Sequence, residues 1–523
     1  MMKFLFIFSL FLGPLFAGAQ HPNWQNKDLT SDSVFGISTE KAYMELIKNK
    51  KPSTVLVAVI DGGVDTAQED LKSVIWTNHK ESYNHRDDDH NGYADDLHGW
   101  NFIGGPNGDV QYDNLELTRI VRQQKPYYDS LRQAGIPAGL RSGYDSFRSM
   151  QSDVNEKWFE AESNYRNIGA FKQVLDDIVK KMGKDDPTLK DFQDYKTEDE
   201  NEKKVQLAVL GDLPGMADFN AFYNSLNGDY DHFKTKAEYQ FNVRYDPRDI
   251  VNDHYNDVND RNYGNSDVKG PAARHGTHVS GIIGAVRNNG IGMDGIADHV
   301  LIMAVRVVPD GDERDKDVAN GIRYAVDNGA RVINMSFGKG YSPQKEAVDE
   351  AVRYAMQKDV LIVHGAGNDA KNLDSTSDFP SRRYADGRGE AAAWIEVGAS
   401  GEKNDSTLIA SFSNYGRHAV DVFAPGVKIY STLPDNQYAY FDGTSMAAPV
   451  VTGLAALIRS YYPKLTAVEV KDIILRSVTK IGHKVLVKDM DGDRIYIPFS
   501  ETCVSGGVVN AYQAVKLAEI YHQ

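Results

Sequence analysis

The chain has 523 residues and a formal net charge of −16. That length holds one large core with additions, or two to three average domains, and an acidic surplus with no basic patch argues against a nucleic-acid partner. The sole cysteine, Cys503, excludes an intrachain disulfide; without a base partner in the sequence it reads as a small buried hydrophobe and not as a nucleophile.

The first residues read as an export signal. Lys3 gives a positive start, residues 4–16 an apolar core, and Ala17-Gly18-Ala19 a cleavage site. The apolar run is too short to span a bilayer and none follows. A mature chain is expected from Gln20, without a lipid anchor or membrane span, destined for the periplasm or the cell exterior. After a polar lead and one helix over 39–48 comes the apolar run 55–60, ending at Asp61. Such a run suits a central strand of a parallel sheet, buried on both faces. A carboxylate at its carboxyl end stands where open α/β sheets place their sites, while Asp65, after Gly62-Gly63, reads as a loop cap.

The stretch Asp87-Asp88-Asp89-His90-Asn91-Gly92-Tyr93-Ala94-Asp95-Asp96 offers oxygens at Asp87, Asp89, Asn91 and Asp95 around a turn glycine. This matches the first part of a calcium loop. The closing Glu is absent, His98 standing in its place; Asp96 could substitute, and a solvated turn is the alternative. A second acidic run, 489–493, reads as a hairpin turn at Asp-Gly. Residues 106–270 change texture to charged, helix-prone sequence. Val154, Trp158, Ala161, Tyr165, Ile168, Phe171, Leu175, Ile178 and Met182 form one stripe of a long amphipathic helix with a weak point at Gly169. The stretch therefore reads as a helical insertion.

His275 opens the next helix. His275 and His278 lack the spacing and third ligand of zinc enzymes, so His275 reads as a base and His278 as a core histidine. Beyond it, strands expected over 300–308, 331–337, 360–363 and 394–399 alternate with helices over 316–328 and 343–358, the latter capped by Ser342 with Pro343 at its first position. Alternation of this kind means a parallel sheet with right-handed crossovers. Ser445, in Gly443-Thr444-Ser445-Met446-Ala447-Ala448-Pro449, enters another apolar helix, with Pro449 placed in its opening turn. Alone, Ser445 could simply cap that helix. Thr466 and Glu469 form a capping box, Leu465 staples to Val470, and a last helix is expected over 508–521.

An aspartate after a buried strand, a histidine opening one helix and a serine opening another occur in the order Asp61, His275, Ser445. The α/β-hydrolase order and its G-x-S-x-G elbow do not fit. The chain resembles a subtilisin-like serine peptidase (subtilase). The matching motifs are Val57-Ala58-Val59-Ile60-Asp61-Gly62-Gly63-Val64-Asp65, His275-Gly276-Thr277-His278-Val279 and the serine motif above. The resemblance implies an α/β, three-layer parallel-sheet fold, its catalytic domain spanning 20–105 and 271–523 around a helical insertion, 106–270. It implies Ser445 as nucleophile, His275 as proton carrier and Asp61 as its orienting acid. Asn368, in Gly365-Ala366-Gly367-Asn368, resembles the oxyanion asparagine, with the Ser445 N–H as second donor.

Ser336-Phe337-Gly338 resembles the strand that pairs with extended substrate, and with Gly365, Ala366 and Gly367 it lines the pocket for the residue before the cut. No acidic residue of that pocket is identifiable from the sequence, and His364 stands where a small apolar residue is usual. Asp70 resembles a family calcium ligand, its partner loop being 286–292. The activity so implied is exported endopeptidase action on proteins or peptides, with no catalytic cofactor and structural calcium only. The competitor is a non-catalytic peptide-binding member of the fold. About thirty residues separate Gln20 from Val55, fewer than a folding pro-domain usually needs. The insertion is accordingly expected either beside the cleft, as lid or folding aid, or as a decoration elsewhere.

Overall fold

The structure is a computed structural model that describes residues 22–522; the expected signal, 1–19, lies outside them. Nine strands form one sheet in the order Thr479–Lys480, Gly507–Val508, Val422–Pro425, Trp394–Ser400, Leu361–Gly365, Val332–Met335, Val55–Asp61, Val300–Arg306 and Gly99–Asn101. All neighbours run parallel except the terminal pair Thr479–Lys480 and Gly507–Val508. Strand Val55–Asp61 lies inside the sheet, third from one edge, in register with Val300–Arg306 from Val55↔Val300 to Asp61↔Arg306.

Its side chains alternate between two cores. Val57 and Val59 join one cluster, Ala58 and Ile60 the other. A strand covered on both faces cannot alternate apolar with polar, which is why its sequence is continuously apolar. Helices Arg274–Gly284, Thr444–Tyr461, Ala467–Arg476 and Ala511–His522 pack into the first cluster; Asp315–Asp327 and Lys345–Gln357 pack into the second. The result is the expected three-layer α/β architecture.

Several local expectations hold. Thr466 and Glu469 make the reciprocal capping box, Cys503 is buried, and 489–493 joins the antiparallel strands Lys484–Lys488 and Arg494–Pro498. Ser342 departs from its expected role. Its hydroxyl donates to Asp315 Oδ1 at 2.9 Å, and Asp315 Oδ2 accepts the Gln344 N–H at 2.8 Å. A carboxylate from the neighbouring helix thus takes over, and the helix begins later, at Lys345.

Between strand Gly108–Asp109 and helix Arg274–Gly284 the regular elements among the described residues are all helical. Helix Arg141–Met182 runs through Gly169 unbroken, because a missing Cβ there admits the Tyr230 ring, 3.1 Å from where that atom would stand. Its far end shares a small core of its own with Phe192, Val209 and Phe222. The near end of this helical stretch is held by buried charge. Arg119, fully buried, reaches Glu116 at 2.6 Å and the carbonyls of Asn114 and Asp312 at 2.6 and 2.9 Å. Arg314 pairs with Asp113 at 2.7 Å, and Lys339 with both Glu116 and Asp315 at 2.8 Å. Burial alone would push the Glu116 carboxyl up, but Arg119 and Lys339 outweigh it and hold it at about 2. Removing one partner leaves the others charged and buried. Arg119→Met is therefore expected to cost about 3–5 kcal/mol, read from the urea midpoint. A loss under about 1 kcal/mol, the size of an exposed pair, would show that this network does not anchor these helices.

Candidate active site

Asp61 ends its strand, and helix Arg274–Gly284 begins beside it because Gly276 has no side chain. A Cβ there would lie 2.3 Å from the Gly63 carbonyl and 3.0 Å from Asp61 Cβ. This approach brings His275 Nδ1 to 2.8 and 3.0 Å from the two Asp61 oxygens, while the Gly62 N–H donates to Oδ1 at 2.7 Å. Burial disfavours charge on His275, but the Asp61 carboxylate overrides it and raises the imidazole above its usual value. With Nδ1 turned to the carboxylate, Nε2 is the nitrogen left to handle a proton. Asp65 is a loop cap as expected, accepting the N–H of Ala67 and Asp435 and pairing with Lys269 at 3.0 Å. His278 is a core histidine: fully buried, stacked on Phe441 at 4.2 Å and bonded through Nε2 to the Ala439 carbonyl.

Helix Thr444–Tyr461 is capped by Gly443, so Ser445 stands inside its first turn and does not cap it. Pro449 is inside the helix too, further along than expected. Lacking an N–H, it cannot donate to the Ser445 carbonyl four residues back. The Ser336 hydroxyl fills that gap, donating to the Ser445 carbonyl at 3.0 Å, and the Ser445 hydroxyl donates to the Ser336 carbonyl at 3.1 Å. Ser336 and Ser445 are thus bonded reciprocally. Among the described residues no hydrogen bond joins Ser445 to His275. One rotatable bond separates the hydroxyl from other positions, and such bonds often form only with substrate present.

Asn368 follows Gly367 in the loop beyond strand Leu361–Gly365. Its Oδ1 accepts the Thr444 N–H at 2.9 Å and the Thr444 hydroxyl at 3.1 Å. A backbone N–H can only donate, so this fixes which end of the amide is oxygen. Nδ2 therefore faces away, without a hydrogen-bond partner among the described residues, next to the residue that precedes Ser445. Thr444 Oγ1 also accepts the Gly367 N–H at 3.0 Å, tying the loop to the helix entrance.

Ser336, Phe337 and Gly338 leave strand Val332–Met335 alongside Gly365, Ala366 and Gly367. Beneath them His364 is buried between Glu396, 2.8 Å from Nδ1, and the Phe337 carbonyl, 2.7 Å from Nε2. Trp394 Nε1 donates to the other Glu396 oxygen at 2.9 Å. Burial opposes charge on His364, yet Glu396 outweighs it and lifts the imidazole to about 9. The small apolar position of the resemblance has become one half of an ion pair. Asp378 also reaches this place, its carboxylate lying against Gly338 and Gly367. Nothing in its local pattern, Ser377-Asp378-Phe379-Pro380, signals that role; only the folded loop does.

Of the residues expected to hold calcium, Asp87 and Asp89 meet Glu81, with oxygens within 4.8 Å of one another. Asn91 donates to Asp96 at 3.0 Å. Asp95 turns elsewhere, accepting the N–H groups of Asn84 and His85 at 2.8 and 2.9 Å. Glu81, far outside the spaced motif, takes its place in the cluster. Asp70 is fully buried and accepts from Asn289 Nδ2 at 2.6 Å and from the Met293 N–H at 3.3 Å.

Residues 53–492 match the subtilase family (Peptidase_S8), and the chain belongs to that family. A thermophilic serine proteinase of Bacillus sp. (strain AK1) is 38% identical over 46% of this chain and 52% of its own length. Subtilisin BL of Lederbergia lenta is 38% identical over 40% of this chain and 71% of its own. The chain thus spans about half the length of the first relative. A solved protease from Pseudoalteromonas arctica aligns with TM-score 0.40 and 29% identity, over 49% of this chain and 78% of that one.

The His364–Glu396 pair carries a stability signature. Its folded value of about 9 exceeds the unfolded value of about 6.5, so its contribution is complete below about 6.5 and is lost as pH rises through about 9. Melting temperature should fall across that window in the native chain, and the fall should be smaller in His364→Asn. Equal slopes in the two proteins would refute the pairing.

Proposed function

We propose that the protein is an exported serine endopeptidase that cleaves protein or peptide substrates through an acyl-enzyme. The observation that supports it best is the Asp61–His275 pair, held at 2.8 Å, with Arg274 and His278 of the same helix packed on Phe441 just ahead of the Ser445 helix. In this reading Ser445 leaves the Ser336 carbonyl as substrate arrives and attacks the scissile carbonyl carbon. His275 Nε2 takes the hydroxyl proton, and Asp61 keeps the ring in the right tautomer and balances its charge. Asn368 Nδ2 and the Ser445 N–H donate to the oxygen that becomes negative. His275 returns the proton to the leaving amine; water then repeats the sequence on the ester. Nucleophile, base and orienting charge are all side chains, so bond cleavage calls for no cofactor. The competing reading, a peptide-binding protein without catalysis, draws on the Ser445 hydroxyl being bonded to Ser336.

A fluorophosphonate probe separates the two: it should label Ser445 in the folded protein, and absence of label would favour the binding protein. Ser445→Ala should lower turnover on the order of 10⁶-fold. Asn368→Ala should lower it roughly 10²–10³-fold with KM little changed; a loss below about tenfold would remove the oxyanion role. His275 must be neutral to accept a proton, and its value is raised. Activity should therefore fall on acidification with a midpoint above the usual histidine value of about 6.5, and a midpoint below that value would contradict the Asp61 pairing.

Structural calcium fits the hard oxygen donors of Glu81, Asp87 and Asp89, with Asn91 adjacent. Asp70, with Asn289 against it, is the second candidate. A chelator should then lower the melting temperature, and restoration by calcium but not magnesium would identify the ion. An unchanged melting curve would dismiss both positions.

A further inference from the structure

Strand Val332–Met335 and strand Leu361–Gly365 are neighbours in the sheet, and their carboxyl-terminal extensions flank the entrance of the Ser445 helix. The crevice between these extensions is closed at its far end by Asp378. A Cβ at Gly338 would lie 3.1 Å from Asp378 Oδ2, and one at Gly367 would lie 3.2 Å from the same oxygen. A side chain on either wall would press the carboxylate aside, so the two glycines are what let it sit against both walls. The segment carrying it is pinned: Lys339 and Phe379 exchange both backbone hydrogen bonds, at 2.8 and 3.0 Å. Asp378 Oδ1 accepts only the neighbouring Phe379 N–H, at 3.1 Å, and Oδ2 has no hydrogen-bond partner among the described residues.

The charged groups around it leave a net negative floor. His364 on one strand faces it but is already paired with Glu396 on the next, and Asp369 in the loop beyond adds a further negative charge. An apolar side chain entering the crevice would desolvate an unpaired carboxylate, which is costly. An acidic one would be repelled. A long cationic side chain can lay its methylene stem along the glycine walls and bring its head to the carboxylate.

We infer that this crevice takes the side chain of a lysine or arginine on the acyl side of the cleaved bond, with Asp378 as the residue that selects it. The inference rests on the peptidase reading for the orientation of the bound peptide. Burial raises the Asp378 carboxyl to about 7, with His364 opposing, so selection for a cation strengthens as pH rises through neutrality. A structural role for Asp378 would affect all substrates alike and would not produce that pH dependence.

The test compares peptides that differ only in the residue before the cut: arginine, lysine, phenylalanine, leucine or glutamate. The full chain should prefer arginine and lysine at pH 8, and that preference should shrink towards pH 6. Truncating one partner of a buried charge pair costs enough to predict a drop of roughly 30- to 1,000-fold in kcat/KM for the arginyl peptide in Asp378→Asn. The ratio of arginyl to phenylalanyl cleavage should collapse and lose its pH dependence. Benzamidine, an aryl amidinium, should bind the folded Ser445→Ala protein by calorimetry and fail to bind once Asp378→Asn is added. Preference for phenylalanine or leucine in the native chain, or an unchanged ratio in folded Asp378→Asn, would overturn the selection while leaving the peptidase reading intact. Failure to cleave any peptide, with Ser445 unlabelled but benzamidine binding dependent on Asp378, would instead sink the peptidase reading and keep the cation site.

Discussion

Two helix entrances pressed against the carboxyl ends of adjacent parallel strands govern the rest of the molecule. Val55–Asp61, Val332–Met335 and Leu361–Gly365 lie side by side, and each delivers a different polar group to the same edge: the Asp61 carboxylate, the Ser336 carbonyl and hydroxyl, and the Gly367-Asn368 turn. Parallel pairing is what puts all three at one end, since every strand points the same way. The helices then supply His275 and Ser445 from their first turns. Both contacts are backbone-close, and a single methyl group at Gly276 would force the first of them apart.

The polar groups at that edge also satisfy one another. Pro449 removes one rung of the Ser445 helix, and the carbonyl left over is taken by the Ser336 hydroxyl. Thr444 serves two masters, fixing Asn368 through its N–H and hydroxyl and accepting the Gly367 N–H. Each buried donor or acceptor matched in this way is one that would otherwise cost folding free energy. The Asn368 Nδ2 and the His275 Nε2, which the proposed mechanism uses, are the ends of these two side chains turned away from their bonds to Thr444 and Asp61.

Much of this was legible in the chain because it is written locally. The continuous apolar run before Asp61, the capping box at Thr466 and Glu469, and the alternation of strands and helices each report a neighbourhood of a few residues. What could not be read depends on segments far apart in sequence. Ser342 looked like a helix cap until Asp315, from the preceding helix, competed for its hydroxyl and for the Gln344 N–H. Asp95 suited a loop motif by spacing, but the amides of Asn84 and His85 claim it and Glu81 joins the cluster. Asp378 and the His364–Glu396 pair acquire meaning only when three strands and a returning loop meet. Pro449 was misplaced by a matter of register, the helix beginning earlier than the serine motif suggested.

The helices between Glu116 and Val251 include a far end with its own core, which invites treating them as a removable cassette. Lys339 forbids a clean excision. Its ammonium, one residue past Gly338, is buried with Glu116 on one side and Asp315 and the Glu313 carbonyl on the other. A shortened chain that discards Glu116 would leave the buried Lys339 ammonium short of counter-charge directly behind the crevice wall. Any trimming that respects the fold has to start beyond Arg119, keeping the first helical turn as if it were native to the sheet.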